Sequence, residues 1–151
     1  MNINWYLKHF KHLTTTELYQ ILQLRSEVFV VEQNCPFQDM DGKDLASYHY
    51  MGFDTASQQI VAYTRLVPPG VSYEEASIGR VVTSQSVRKH GIGRELMTSS
   101  ITLLEELFGG GNIRIGAQLY LKNFYGSFGF EQSGEVYLED GIEHIQMLRV
   151  S

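Results

Sequence analysis

The first apolar-rich segment, Ile3 to Phe10, reads as a strand. The period then changes. Thr14-Thr15-Thr16-Glu17 has the spacing of a capping box, with Thr14 as the N-cap and Glu17 reaching back to it. Behind it Leu18, Ile21, Leu22 and Val28 fall on roughly one helical face, which predicts a helix to about Val30. Glu32 to Lys43 holds Pro36, Gly42 and several acids and reads as an irregular loop. Ser47 to Phe53 and Ile60 to Val67 read as two strands joined by a polar hairpin turn over 55–59, and Pro68-Pro69-Gly70 ends the second. Ala76 to Thr83 is a further strand. From Ile92 to Phe108 the period is helical again, with Ile92, Leu96, Ile101, Leu104 and Phe108 on the apolar face. Gly109-Gly110-Gly111 stops this helix, because glycine accepts a left-handed cap and disfavours continuation. Ile113 to Ala117 is a short strand, and Tyr120 to Phe128 a short helix ended by Gly129. The segments 135–139 and 142–149 form a hairpin about Asp140-Gly141, a type I′ turn pair. The order is β-α-β-β-β-α-β-α-β-β. It predicts an α/β (α+β) protein with one mixed, mostly antiparallel sheet and helices on both faces.

Length and composition narrow this picture. A chain of 151 residues, 43% apolar and 19% charged, is expected to form one domain over 1–151 with a substantial core. The formal net charge of −5 argues against nucleic acid as a partner, since that needs a positive field. No apolar run approaches the ~18 residues of a membrane span, and the first residues lack a charged-then-apolar signal pattern, so the cytosol is the expected compartment. The single cysteine, Cys35, excludes an intrachain disulfide and reads as a small buried or half-buried residue; a catalytic thiol would need a neighbouring base.

Against this acidic background one turn is basic: Arg88-Lys89-His90-Gly91-Ile92-Gly93, followed by Arg94. It lies between a strand and a helix N-terminus. The first N–H groups of a helix have no intrahelical acceptor and carry the positive end of the macrodipole, so such a turn suits a phosphate. Gly91 and Gly93 let an anion approach the backbone. The turn lacks a G-x-x-x-x-G-K-[ST] loop, which places a nucleotide-binding domain last among the readings. Asp39, Asp41 and Gly42 resemble a calcium loop only superficially, because the glycine position is wrong and a distal Glu is missing. No group has zinc spacing, and His9, His12 and His90 read as surface residues, so no metal is expected.

Three features coincide. R-x-x-G-x-G runs from Arg88 to Gly93; Y-x-x-x-G-F runs from Tyr125 to Phe130; and both sit in the element order above. Together they resemble the GCN5-related N-acetyltransferase (GNAT) superfamily over essentially the whole chain. Leu24-Arg25, Val28 to Gln33, Cys35 to Asp39, Ile78 to Val81, Gly116-Ala117-Gln118, and Asp140-Gly141-Ile142 with His144 look like the ElaA-like subfamily. The resemblance implies that the backbone of Val81, Val82 and Thr83 pairs with a pantetheine arm. It implies that the N–H groups of Arg88, Lys89, His90, Gly91, Ile92 and Gly93, with Arg94, hold the pyrophosphate of coenzyme A. It also implies that Tyr125 sits near the thioester sulfur as general acid. Many members carry Asn seven residues before that tyrosine; here the position is Gln118, with Asn123 a second amide that could substitute. The cosubstrate implied is acetyl-CoA.

The residues themselves support that chemistry. Acetyl transfer to an amine needs an oxyanion donor, and a backbone N–H of Val81 or Val82, freed by a kink that Gly79 permits, could supply it. The leaving thiolate, with a pKa of about 8.5, can take a proton from a phenol of pKa near ~10, such as Tyr125. The alternative for Tyr125 is a core aromatic beside Phe124, Phe128 and Phe130. His144, His49 and Glu32 are candidates to take the proton from the amine. Arg80, unusual in an apolar strand, either pairs with an acid such as Glu32 or Asp39 or binds an acidic acceptor; an unpaired buried arginine would be too costly. Glu32, Asp39, His49 and Arg80 are therefore assigned to the acceptor pocket. The expected protein is an N-acetyltransferase acting by direct attack on an amine of a small molecule or peptide, with a homodimer kept open. The alternative is a non-catalytic acyl-CoA-binding module on the same fold. Acyl-homoserine-lactone synthases share this fold broadly, which leaves an acceptor of their kind open as well.

Overall fold

The computed structural model describes residues 2–151. Four antiparallel strands come first: β1 (Ile3–His9), β2 (Tyr48–Asp54), β3 (Gln59–Val67) and β4 (Ser77–Thr83), in spatial order β1-β2-β3-β4. A second group contains β5 (Ile113–Gln118), β6 (Glu131–Gln132), β7 (Tyr137–Glu139) and β8 (Ile142–Arg149); β8 pairs antiparallel with β5, β6 and β7. The two halves meet at one parallel bridge, Ala76 to Ile113, where the Arg114 N–H donates to the Ala76 carbonyl at 3.1 Å. Beyond that bridge β4 and β5 run side by side in the same direction without pairing. The mixed, mostly antiparallel sheet of the sequence reading is present, and it is split along this seam.

Helices cover both faces. The helix α1 (Thr15–Arg25) starts on the expected capping box: Thr14 Oγ1 accepts from the Glu17 N–H at 3.1 Å, and Glu17 Oε1 accepts from the Thr14 N–H at 2.8 Å. Its Ile21 and Leu24 pack with Val28 against Met51, Ile60, Tyr63 and Val82. The helix does not run uniformly to Val30. From Ser26 to Glu32 it widens into a π-helical stretch whose i→i−5 bonds end at Gln33 and Cys35. The helix α2 (Ile92–Phe108) matches its expected range and buries Leu96, Met97, Ile101 and Leu104 on the opposite face, against Ala62, Leu66, Ile78, Ile115 and Ile145. A buried Thr64–Ser100 hydroxyl pair at 2.7 Å satisfies the polar atoms of that contact. The short α3 (Lys122–Gly126) follows β5 and places Tyr125 on the same core. Asp140 (φ 52°) and Gly141 (φ 78°) are both left-handed, as a type I′ turn requires.

The 32–47 segment is anchored by charge. Arg25, with no exposed surface, bonds Asp39 (2.7 Å) and Asp44 (2.7 and 3.2 Å). Arg65 bonds Asp41 (2.8 and 2.9 Å) and Asp44 (3.0 Å), and Arg80 lies 2.8 Å from Asp39. The acids of the loop are thus counterions of three arginines on α1, β3 and β4. Among the described residues, no group of acids, histidines and cysteine is arranged to hold a metal.

Candidate active site

The gap between β4 and β5 opens into a cavity of about 780 Å³. Its wall on one side is Ile78 to Thr83 of β4, and on the other Ile115 to Gln118 of β5. The π-helical stretch contributes Val28, Phe29 and Glu32, α3 contributes Phe124 and Tyr125, and the last hairpin contributes Tyr137 and His144.

The β4 edge is irregular where the chemistry would need it. Tyr63 pairs with Val82 and Arg65 with Gly79, so Arg80 and Val81 together face the single residue Thr64. This is a β-bulge, and it frees Val81 from the ladder. Its left-handed residue is Arg80, at φ 50°, the neighbour of the Gly79 that the sequence offered as permitting a kink. A non-glycine residue there is strained, and the neighbours hold it. Arg80 Nε lies 2.8 Å from Asp39 Oδ1, its Nη2 donates to the Asp39 carbonyl at 2.8 Å, and its guanidinium stands 5.8 Å from the centre of the Phe37 ring.

The basic turn ends in an open helix N-terminus. Gly91 (φ 74°) is the N-cap of α2, no side chain accepts from the first turn, and the first helical bond runs from the Glu95 N–H to the Gly91 carbonyl. The N–H groups of Ile92, Gly93 and Arg94 are therefore without helical acceptors. Gly93 lines the cavity, and a Cβ there would meet nothing closer than the Phe124 ring at 4.0 Å. The side chains of the turn do not converge on that end. Arg88 forks onto Glu32 (2.6 and 3.0 Å) and also donates to the Thr83 carbonyl at 2.9 Å. Arg94 lies 4.7 Å over the Phe128 ring and donates to Ser127 Oγ at 3.0 Å. Lys89 (φ 70°) and His90 are exposed and lie outside the cavity lining.

Tyr125 is 7% exposed and lines the cavity. Burial, reinforced by Tyr120 nearby, pushes its hydroxyl well above the ordinary phenol range, so it stays protonated at neutral pH. Phe124 and Phe130 pack edge-on against its ring. Gln118, at the end of β5, donates to Gln33 Oε1 at 3.1 Å across the cleft, and Asn123 is exposed and outside the lining.

The three base candidates are placed very differently. His144 lines the cavity; its Nδ1 sits 2.7 Å from the Ile142 carbonyl, which fixes the proton on that nitrogen and leaves Nε2 as the free atom, 3.5 Å from Glu139. Glu32 is at the mouth, and its hydrogen bonds from Arg88 hold its carboxyl below the usual range. His49 is 1% exposed, held between the Tyr63 hydroxyl (2.7 Å) and the Asp44 carbonyl (3.0 Å), and does not reach the cavity. Burial lowers its pKa, so it is neutral in this position. Asp39 is likewise buried, facing Arg25 and Arg80. The cavity also exposes residues that sequence reasoning passed over: Tyr73, Tyr137 and Glu139. Nothing in their local spacing marks them, because they meet only through the fold.

A split mixed sheet, with a bulged strand on one side of the gap and an open helix N-terminus at its end, is the framework of a CoA-dependent acyltransferase. Residues 19–150 match the model of the acetyltransferase (GNAT) domain, and the chain belongs to the GNAT acyltransferase family. Within that family it is similar to ElaA of Escherichia coli K12, at 42% identity over 149 residues, covering 97% of this chain and 96% of ElaA. A UPF0039 protein of Synechocystis is also 42% identical, covering 98% of this chain and 96% of its own. The crystal structure of an acyl-CoA N-acyltransferase from Pseudomonas aeruginosa superposes with a TM-score of 0.93 at 43% identity, over 99% of this chain and 100% of that one.

Proposed function

We propose that the protein is an N-acetyltransferase that moves the acetyl group of acetyl-CoA to a primary amine by direct attack. The observation that carries this reading is the bulge at Arg80-Val81, facing Tyr125 across a cavity that ends at the open N-terminus of α2. The pyrophosphate would be held by the N–H groups of Ile92, Gly93 and Arg94, a site of backbone dipoles more than of side-chain charge. Lys89, exposed beside it, adds positive charge, and His90 is an exposed neighbour; Arg88 acts as a brace between β4 and the π-helical stretch. The pantetheine arm would lie along the free edge of Val81, Val82 and Thr83, with the Gln118–Gln33 bridge opposite it.

The chemistry follows from the groups at the gap. The Val81 N–H, released from pairing with β3, polarises the thioester carbonyl and stabilises the oxyanion of the tetrahedral intermediate. The amine gives up its proton to His144 Nε2, directly or through a water. The intermediate then collapses, the C–S bond breaks, and the Tyr125 hydroxyl gives its proton to the departing thiolate. The raised pKa of Tyr125 keeps that proton in place until sulfur carries negative charge. Glu32 is left as a counterion of Arg88, and His49, Asp39 and Arg80 as the frame that holds the bulge.

Incubation of the protein with acetyl-CoA and a panel of primary amines, with release of free CoA thiol followed by a thiol reagent, tests this reading. Amine-dependent thiol release is expected; acetyl-CoA binding without turnover on any amine would instead identify a binding module.

A further inference from the structure

The face of the gap turned toward α1 is cleared of side chains at one level. Gly79 on β4 and Gly116 on β5 each lie three residues beyond the bridging pair Ala76 and Ile113. Above Gly116 two phenols converge: a Cβ there would lie 2.9 Å from the Tyr73 hydroxyl and 3.1 Å from the Tyr137 hydroxyl. The glycine is required for both hydroxyls to reach the strand. They come from different elements, the 68–76 connection and the last hairpin, and both line the cavity. Among the described residues neither hydroxyl has a hydrogen-bond partner, and both line the cavity. Beside them stands Glu139, with 58% of its side chain exposed, at the mouth. Tyr137 stacks on His144 at 5.8 Å, so this group adjoins the atom assigned to accept the amine proton.

The charges of the cavity leave this corner acidic. Arg65, Arg80 and Arg88 each face a carboxylate: Asp41 and Asp44, Asp39, and Glu32. Among the described residues of the lining, Lys43 on the loop and Glu139 and Asp140 on the hairpin face no such ion-pair partner, Glu139 having only His144 Nε2 at 3.5 Å. Burial, with Tyr73 and Glu139 close by, pushes the Tyr137 hydroxyl up to about 12, so both phenols are neutral and offer oxygen lone pairs. Neutral phenol oxygens and one carboxylate to accept its N–H groups, with an aromatic face beside them, suit an ammonium group. The reacting nitrogen must be uncharged at the thioester, so a carboxylate at the mouth suits a different nitrogen of the acceptor.

We propose that Tyr73, Tyr137 and Glu139, gathered over Gly116, hold a second cationic group of the acceptor, and that the acceptor is a small alkyl diamine. The inference rests on the acetyl-transfer reading above. A diamine would place one ammonium between Glu139 and the two phenols and extend its other nitrogen past His144 toward the gap.

Two titrations and one rate comparison separate the two claims. Calorimetric titration with acetyl-CoA reports on the donor site; its failure would remove the acetyl-transfer reading itself. Titration of the CoA-loaded protein with 1,4-diaminobutane reports on the acceptor site whether or not turnover occurs. Binding is expected in the wild type and about tenfold weaker in Glu139→Gln. In turnover, 1,4-diaminobutane is expected to exceed 4-amino-1-butanol in kcat/KM by about tenfold, with 4-aminobutanoate lower still. Glu139→Gln should reduce that preference to within about twofold while leaving the KM for acetyl-CoA unchanged, and Tyr73→Phe should raise the KM for the diamine. No diamine binding by the CoA-loaded wild type, a preference retained in Glu139→Gln, or a faster reaction with 4-aminobutanoate would overturn the proposal.

Discussion

Tyr125 and His144 carry opposite halves of the proposed proton traffic, and their surroundings make the two roles separable. Tyr125 is fixed by aromatic packing and protonated by burial. Tyr125→Phe keeps the ring and removes the proton, so kcat is expected to fall by about 100-fold while acetyl-CoA affinity stays within about twofold. Steady-state kinetics with calorimetry checks this; an unchanged kcat removes the acid role. In the proposed reaction His144 relieves the amine of a proton that an alkylammonium otherwise loses only at about pH 10. His144→Gln is therefore expected to be slow at neutral pH and to approach the wild-type rate as pH rises toward 10, because the free amine then forms in solution. A deficit that does not shrink with pH would contradict a base at this position. Both residues line the cavity and both were candidates from the sequence, Tyr125 through its fixed spacing to Gly129-Phe130. Tyr73, Tyr137 and Glu139 were not, since only the meeting of β5 with the last hairpin brings them together.

The elements legible in the sequence are those built by local physics. The Thr14–Glu17 box, the apolar face of α2 and the Asp140-Gly141 turn each depend on contacts within a few residues. The π-helical widening after Arg25 was not legible; a kink in β4 was, through Gly79, but its seat at Arg80 was not. The bulge is held by Asp39, which is 41 positions away in the chain. The same charge frame governs stability. Arg25→Met leaves Asp39 with Arg80 alone and Asp44 with Arg65 alone, both buried, and is expected to cost about 3–5 kcal/mol in chemical denaturation. The frame also sets the acid limit. Burial raises the pKa values of Asp41 and Asp44, but the arginines outweigh it and hold both carboxyls below their unfolded values. Their contribution is present above about pH 4 and is lost as pH falls through the folded values. Tm measured against pH should decline below about pH 4, less steeply in Asp41→Asn; equal slopes would contradict this assignment.

At the scale of the whole molecule, the proposed function depends on a sheet that begins to close and then does not. One bridge at Ala76 and Ile113 joins the halves, and everything proposed here happens in the gap beyond it. The sequence implied the strands on each side but not the divergence between them, since no residue type signals an absent pairing. The turn from Arg88 to Arg94 reads as an anion site in the sequence, while in the fold its arginines act as braces, Arg88 on Glu32 and Arg94 on Phe128. The central claim is that this gap, with the α2 N-terminus at its end, holds coenzyme A. Isothermal titration calorimetry with acetyl-CoA addresses it directly. One site per chain with a dissociation constant in the micromolar range is expected, and no heat of binding at high micromolar acetyl-CoA would contradict the claim.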